Sequence, residues 1–231
     1  MSAGDALDVT GRGAAPGARS APTPVLVIGD KHKSSWSLRP WLLLRHFGVA
    51  FEEVQLPLDT PEYERRIGDW SPTRRVPVMH VGDELVWDSL AICEVANERW
   101  LGGRGWPAEP RARAAARSAA AEMHSGFAAL RTQLPFDARR TPGTPHGDAA
   151  ASGDMARVQA VWAGLRTRFG DARGFLCGDF GIVDAMYAPV CVRFRGYGVP
   201  VDANARAFMD AIFALPAYRE WQRDADLPDR T

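Results

Sequence analysis

The amino-acid sequence predicts a small α/β domain followed by an all-α helical bundle. The first part of the chain alternates short apolar runs with helical patterns, whereas beyond residue 107 alanine becomes frequent and convincing strand alternation ends. An order of strands with helices, and then helices alone, indicates two units of different class. The length of 231 residues is enough for both. We place the first domain at residues 25–101 and the second at residues 107–226.

The predicted elements of the first domain follow from local signals. Val25 to Gly29 form an apolar run typical of a buried strand, and helical spacing over residues 36–47 includes Pro40 in the first turn. A strand, a helix and a strand in this order form a parallel unit. Gly82-Asp83 is a two-residue hairpin turn, which makes its flanking strands antiparallel. The remaining predicted elements are strands at 51–56, 76–81 and 84–87, a short helix at 60–67 and a helix from Ser89 to Trp100.

The second domain is predicted to contain helices only. One long helix is expected from Glu109 to about Leu134, followed by a loop rich in proline and glycine at residues 135–153. The other predicted helices run from 154 to 169, from 182 to about 197, from 204 to 215 and from 216 to 224.

Composition excludes several classes of function. Lys plus Arg and Asp plus Glu both number 28, so no net charge favours nucleic acid or an anionic membrane. No apolar run approaches the roughly 20 residues of a membrane span. An odd number of cysteines, Cys93, Cys177 and Cys191, favours a reducing compartment, and the cytoplasm is the predicted location. Residues 1–24 are rich in glycine, alanine and proline and are predicted to be a disordered lead-in.

Hydroxyl side chains stand where two helices of the first domain begin. Ser34 and Ser35 precede the first helix, and Asp88-Ser89 precede the helix after the hairpin. Free backbone N–H groups and the positive end of the helix dipole make such ends suitable for anions. The sequence therefore predicts a site for a small acidic ligand. No histidine or cysteine cluster suggests a metal.

Three motifs in this order resemble the glutathione transferase superfamily, with the closest likeness to its bacterial serine-type, zeta-like members. They are Ser34-Ser-Trp-Ser-Leu-Arg-Pro-Trp41, Arg75-Val-Pro-Val78 and Asp88-Ser-Leu-Ala-Ile92. The resemblance runs from residue 25 to about residue 224. It implies a thioredoxin-like N-terminal domain, an all-helical C-terminal domain, glutathione as co-substrate and a homodimer.

The resemblance implies that Ser34 activates the glutathione thiol, with Ser35 as the next candidate. A free thiol has a pKa near ~8.5, so only a few per cent is nucleophilic thiolate at neutral pH. A hydroxyl donor at a helix N-terminus could lower that pKa by about two units, which requires about 2.7 kcal/mol. The alternative is that both hydroxyls only cap the helix.

The same resemblance assigns the binding of glutathione to five residues. Val76-Pro77 matches a cis-proline that turns the preceding backbone toward the cysteinyl part of glutathione, although an ordinary proline at the start of a strand is the alternative. Asp88 would meet the ammonium of the γ-glutamyl end and Ser89 its α-carboxylate, unless both only cap the helix. Arg75 stands where basic side chains meet the glycyl carboxylate.

The electrophile is expected between the domains, against Trp36 and a face shared by Met123, His124 and Phe127. Ordinary packing is the alternative for each of the last three. Trp36 replaces the cysteine of zeta-like enzymes, which argues against their maleylacetoacetate isomerase activity. The predicted function is conjugation of glutathione to a small hydrophobic electrophile, as in detoxification. A non-catalytic binding module of the same fold and a glutathione-dependent isomerase or peroxidase are the alternatives.

Overall fold

A computed structural model of the protein describes residues 22–144 and 147–228. The predicted lead-in at residues 1–24 lies outside the described residues except for its last three. In the described part of the chain, no helix is long and apolar enough to cross a membrane.

A mixed four-stranded sheet forms the centre of the first domain. Its strands are β1 (Val25–Gly29), β2 (Glu52–Leu56), β3 (Val78–Val81) and β4 (Glu84–Trp87), in the order β2-β1-β3-β4. β1 pairs with β2 in parallel and with β3 antiparallel, and β3 pairs antiparallel with β4. Both predicted pairings are therefore confirmed. Gly82 has a φ of 58°, which explains why glycine opens the hairpin turn.

Three helices accompany this sheet: α1 (Ser35–His46), α2 (Pro61–Trp70) and α3 (Ser89–Arg99). The bounds of α1 and α3 agree with prediction to within one residue, whereas α2 continues three residues beyond its predicted end. Thr60 caps α2 by accepting a hydrogen bond from the N–H of Tyr63 at 3.1 Å. α1 is buried along most of its length, because it packs between α3 and the second domain.

The second domain contains six helices in the described ranges: α4 (Pro110–Ser125), α5 (Ala128–Gln133), α6 (Ala149–Phe169), α7 (Ile182–Gly196), α8 (Ala203–Ala214) and α9 (Pro216–Ala225). The prediction of one helix over 109–134 is wrong, because Gly126 ends α4 and Phe127 takes a left-handed φ of 61°. The predicted loop is also too long, since Asp148 caps α6 and starts it at Ala149. The domain limits themselves stay predictions.

One hydrophobic core continues from α1 into α7 and α9, so the two domains share it. The rings of Trp41 and Trp221 meet edge to face at 5.2 Å. Beside them, the buried ammonium of Lys31 pairs with Glu53 at 3.0 Å and with Asp224 at 2.6 Å. These contacts join β2 and α9 to the turn before α1, which holds the N-terminus of α1 in a fixed position against the second domain.

Candidate functional site

A pocket of about 460 Å³ lies where the N-termini of α1 and α3 face α4. Its wall consists of Trp36, Thr73, Arg75, Val76, Pro77, Trp87, Asp88, Ser89 and His124. All five residues predicted to bind glutathione line it, together with two of the four predicted to face the electrophile. The fold therefore brings together residues from three separate motifs and one helix of the second domain.

The hydroxyl of Ser34 caps α1. Its Oγ accepts from the N–H of Ser37 at 3.2 Å and donates to the Oγ of Ser37 at 2.7 Å. Gly29 of β1 donates to the same Ser37 Oγ at 3.1 Å, which fixes the turn on the sheet. Ser34 and Ser35 are both buried, and neither is part of the wall of the 460 Å³ pocket. The capping role weighed from the sequence is thus present at Ser34.

The segment before β3 supplies three consecutive residues of the wall. Arg75 is exposed, Val76 is half-buried and Pro77 is buried. The Val76–Pro77 peptide bond is cis, as the resemblance implies. Because Arg75 is exposed and also lines the pocket, its side chain lies at the edge of the pocket.

Asp88 caps α3 with one carboxylate oxygen and faces the second domain with the other. Oδ1 accepts from the N–H groups of Leu90 at 2.9 Å and Ala91 at 3.4 Å. Oδ2 lies 3.2 Å from Nε2 of His124 on α4. The Asp88 side chain remains 41% exposed, so Oδ2 can also accept a hydrogen bond from a ligand. With a φ of 78° and a ψ of 136°, Asp88 lies outside the left-handed helical region, in a backbone conformation that residues with a side chain rarely adopt.

Ser89 is the first residue of α3 and is almost fully buried. Its hydroxyl accepts from Nη1 of Arg39 at 3.5 Å. Because a hydroxyl has one proton to donate, this leaves the Ser89 O–H available to a ligand carboxylate. The first backbone N–H groups of a helix lack intrahelical partners and favour the same anion.

Arg39 is a functional candidate that the sequence prediction missed. It is completely buried, and its Nε and Nη2 have no hydrogen-bond partner. Its pKa is lowered well below the usual value, first by burial and then by the charges of Arg131 and Arg193. The signal in the sequence was an arginine at a core-facing position between Leu38 and the apolar run that follows.

Met123 and Phe127, the other two residues predicted to face the electrophile, do not line the pocket. Met123 is fully buried and Phe127 is nearly so, and both belong to the core that joins the domains. Ordinary packing, the alternative weighed for them, describes these positions. The break between α4 and α5 explains the difference, because a continuous helix would have kept Phe127 on one face with Met123.

A larger cavity of about 820 Å³ lies at the other end of α1, near the connection between α6 and α7. Aromatic side chains and Cys177 line it, and no residue of the predicted site does. Burial raises the pKa of Cys177 to about 12, so its thiol is not an activated nucleophile. Within the described ranges, no group of three or more histidine, cysteine or acidic side chains is placed to hold a metal ion.

Two family models match the chain. The model described as glutathione S-transferase, N-terminal domain, matches residues 33–99, and the model of the C-terminal domain matches residues 148–223. Together they account for more than half of the chain. A curated relative, the dichloromethane dehalogenase of Methylorubrum extorquens, is 35% identical over 60 residues, which are 25% of this chain. That match spans only 21% of the relative's length.

Solved structures share the fold at low sequence identity. A glutathione transferase homologue from Burkholderia gl BGR1 with bound glutathione is 22% identical, covers 88% of this chain and 98% of its own, and has a TM-score of 0.67. A diazinon-metabolizing glutathione S-transferase of the silkworm Bombyx mori is 14% identical, with 88% and 96% covered and a TM-score of 0.68. These likenesses confirm the predicted thioredoxin-like domain followed by an all-helical domain.

Proposed function

The chain belongs to the glutathione S-transferase superfamily, and on that premise we propose that it is a serine-type transferase that conjugates glutathione to a small hydrophobic electrophile. The observation that carries the proposal is the convergence of Arg75, Val76, Pro77, Asp88 and Ser89 on one pocket. A homologue from Burkholderia gl BGR1 and one from Sulfitobacter hold glutathione in their solved structures, which supports the same ligand here.

The charges around the pocket match those of the tripeptide. Glutathione has two carboxylates and one ammonium group, and the wall offers complementary partners in a suitable order. Arg75 would pair with the glycyl carboxylate, the backbone of Val76 would hold the cysteinyl unit, and Ser89 would donate to the γ-glutamyl carboxylate. Asp88 Oδ2 would accept from the ammonium while Oδ1 keeps its bonds to the N–H groups of α3.

Ser34 is proposed to stabilise the thiolate. Capping and catalysis are compatible in this residue, because a hydroxyl has one donor and two acceptor sites. Ser34 can keep accepting from the N–H of Ser37 while its own proton turns from Ser37 Oγ to the sulfur. Ser35 is equally buried and one residue closer to Trp36, so it is the alternative donor.

The electrophile would lie against Trp36 and His124, which meet edge to face at 5.5 Å. The large ring of Trp36 narrows the space next to the thiol, which favours conjugation over the isomerase activity of zeta-like enzymes. Glutathione and the electrophile are the proposed partners, and a homodimer in the cytoplasm is proposed from the resemblance and the cysteine content. Sizing against the 25.3 kDa monomer tests the dimer.

A second candidate is a non-catalytic binding module. The observation that favours it is the bond from Ser34 to Ser37, which occupies the hydroxyl proton that catalysis needs. The two candidates both predict glutathione binding, but only the first predicts turnover.

The test combines titration calorimetry with a conjugation assay. We expect glutathione to bind to the wild-type protein. Ser34→Ala should lower kcat/KM toward chlorodinitrobenzene by about 10- to 100-fold, because a rise of one to two units in the pKa of the thiol lowers the thiolate fraction by that factor. Ser37→Ala is the control, because it removes the bond between the two hydroxyls, and with it the acceptor of Gly29, but leaves Ser34 as the cap of α1 and as a donor to the sulfur. Equal losses in both variants would assign the effect to the bond between the two hydroxyls and not to a donor at the sulfur. An unaffected Ser34→Ala with an inactive Ser35→Ala would move the role to Ser35.

A further inference from the structure

Two arginine side chains pack against Trp36, a residue of the pocket wall. The guanidinium of Arg39 lies 4.1 Å from the ring centre of Trp36, and that of Arg131 on α5 lies 4.8 Å from the same centre. The ring of His124 meets Trp36 edge to face. Trp36 itself is half-buried and lines the pocket, whereas neither arginine is part of the pocket wall.

These guanidinium groups lack the partners that buried arginines normally have. Arg39 has two buried nitrogens, Nε and Nη2, without any acceptor. Arg131 donates from Nε to the carbonyl of Gly126 at 3.0 Å and from Nη2 to that of Met123, but its Nη1 is buried and unpaired. Neither takes part in an ion pair with a described carboxylate. Unpaired buried charge is unfavourable, so an anion that reached these nitrogens would be stabilised.

The charges around the cluster leave an excess of positive charge. Arg193 adds a third cation, and the pKa values of all three guanidinium groups are lowered, first by burial. The facing carboxylates are Asp88 and Asp154, and both already accept from backbone N–H groups. Arginine nevertheless keeps its proton in proteins, so the cluster stays cationic.

We propose that this cluster binds a carboxylate of the electrophile, so that the second substrate is a flat aromatic acid and not a neutral molecule. The inference rests on the proposed function and refines its substrate class. The aromatic part would stack on Trp36, and a rotation of that ring would bring the carboxylate to the unpaired N–H groups of Arg39 and Arg131. A planar guanidinium pairs with a carboxylate through two parallel hydrogen bonds, so it favours a carboxylate over a neutral group at the same place.

Glutathione is the other possible source of a carboxylate at this place. Arg39 Nη1 lies 3.5 Å from Ser89 Oγ, the proposed partner of the γ-glutamyl carboxylate. The experiment therefore has to separate the two sources. A loss that appears in the affinity for glutathione points to the tripeptide, whereas a loss confined to the charged electrophile points to the second substrate.

The test compares two electrophiles that differ in charge, chloronitrobenzoate and chloronitrobenzamide. In both, the thiolate sulfur forms a C–S bond while the C–Cl bond breaks and chloride leaves with its electron pair. Rates are divided by the uncatalysed rates, which removes the difference in ring reactivity. At saturating glutathione we expect the wild-type protein to prefer the acid by about 10- to 100-fold in kcat/KM, the range for a hydrogen bond to a charged group.

Arg131→Gln should bring the ratio of kcat/KM for the acid to that for the amide close to one. It should change kcat/KM for the amide by less than about threefold. Arg157→Gln is the matched control, because it removes an exposed guanidinium that pairs with Glu122 at 2.7 Å, away from the pocket. If Arg131→Gln does not fold, competition by unreactive nitrobenzoate against nitrobenzamide in the wild-type protein gives the same comparison.

Equal handling of acid and amide by the wild-type protein would overturn the inference, as would a loss in Arg131→Gln that is confined to glutathione affinity. Failure of the proposed function looks different, because neither electrophile would then react. In that case, binding is measured by the quenching of tryptophan fluorescence. Quenching by nitrobenzoate but not by nitrobenzamide, together with its loss in Arg131→Gln, would still support the anion site. Equal quenching by the two compounds would reject it.

Discussion

Replacement of Asp88 by asparagine separates the two tasks that the structure gives to this residue. The amide oxygen of asparagine can keep the bonds that Oδ1 accepts from Leu90 and Ala91. Asparagine also has the same size and branching as aspartate, so it meets the same backbone angles with no added bulk. Only the negative charge is lost, at the oxygen that faces His124 and, in the proposed complex, the ammonium of glutathione.

The expected loss of glutathione affinity depends on how exposed Asp88 and His124 are to solvent. A hydrogen bond to a charged group contributes about 1.5–3 kcal/mol. The Asp88 and His124 side chains are 41% and 30% exposed, and water screens such a pair, so the lower end applies. We therefore expect Asp88→Asn to weaken glutathione binding by about tenfold, or roughly 1.4 kcal/mol. The free energy of unfolding should change by less than about 0.5 kcal/mol, because asparagine is as good an N-cap as aspartate.

Titration calorimetry measures the affinity, and urea denaturation measures the stability. Asp148→Asn is the matched control, since Asp148 caps α6 by accepting from Ala150 at 2.9 Å and Ala151 at 3.0 Å and lies outside the pocket. We expect no change in its affinity for glutathione. Wild-type affinity in Asp88→Asn would refute the assignment of the ammonium. An equal loss in Asp148→Asn would show that the effect is not specific to the charge of Asp88.

Two further predictions concern stability. Lys31→Met should lower the free energy of unfolding by about 2 kcal/mol. Removing one partner of a fully buried pair costs ~3–5 kcal/mol, and the loss is smaller here because Asp224 reaches solvent. Arg66→Met, which breaks an exposed ion pair, is the control and should lower the free energy of unfolding by under about 0.5 kcal/mol in the same urea series. Burial raises the pKa of Asp184 to about 7, so the folded chain holds this proton more tightly than the unfolded chain. Its stabilising effect is full below about pH 4, the ordinary range for the group, and is lost as the pH rises through about 7. Relative to Asp184→Asn, the unfolding free energy of the wild-type protein should therefore fall from pH 4 to 8, and parallel curves would contradict this.

Prediction from the sequence succeeded where the signal was local. The strand run of β1, the hairpin glycine Gly82 and the polar residues before α1 and α3 act within a few residues, and the structure has the corresponding elements close to their predicted bounds. It failed between α4 and α5, where alanine-rich sequence has high helix propensity but the chain turns at Phe127. The ring of Phe127 is almost fully buried in the core there, which explains a backbone that local propensity does not favour.

The sequence by itself determined the order of elements and the motifs that line the pocket, because capping, turn formation and hydrophobic period depend on neighbouring residues. Only the tertiary structure decided which cations surround Trp36. Arg39 belongs to α1 and Arg131 to α5, and their approach depends on how the helices of two domains pack. The same packing buries Arg39 fully and Arg131 in part, and it leaves three of their nitrogens without acceptors, a property that sequence spacing does not encode.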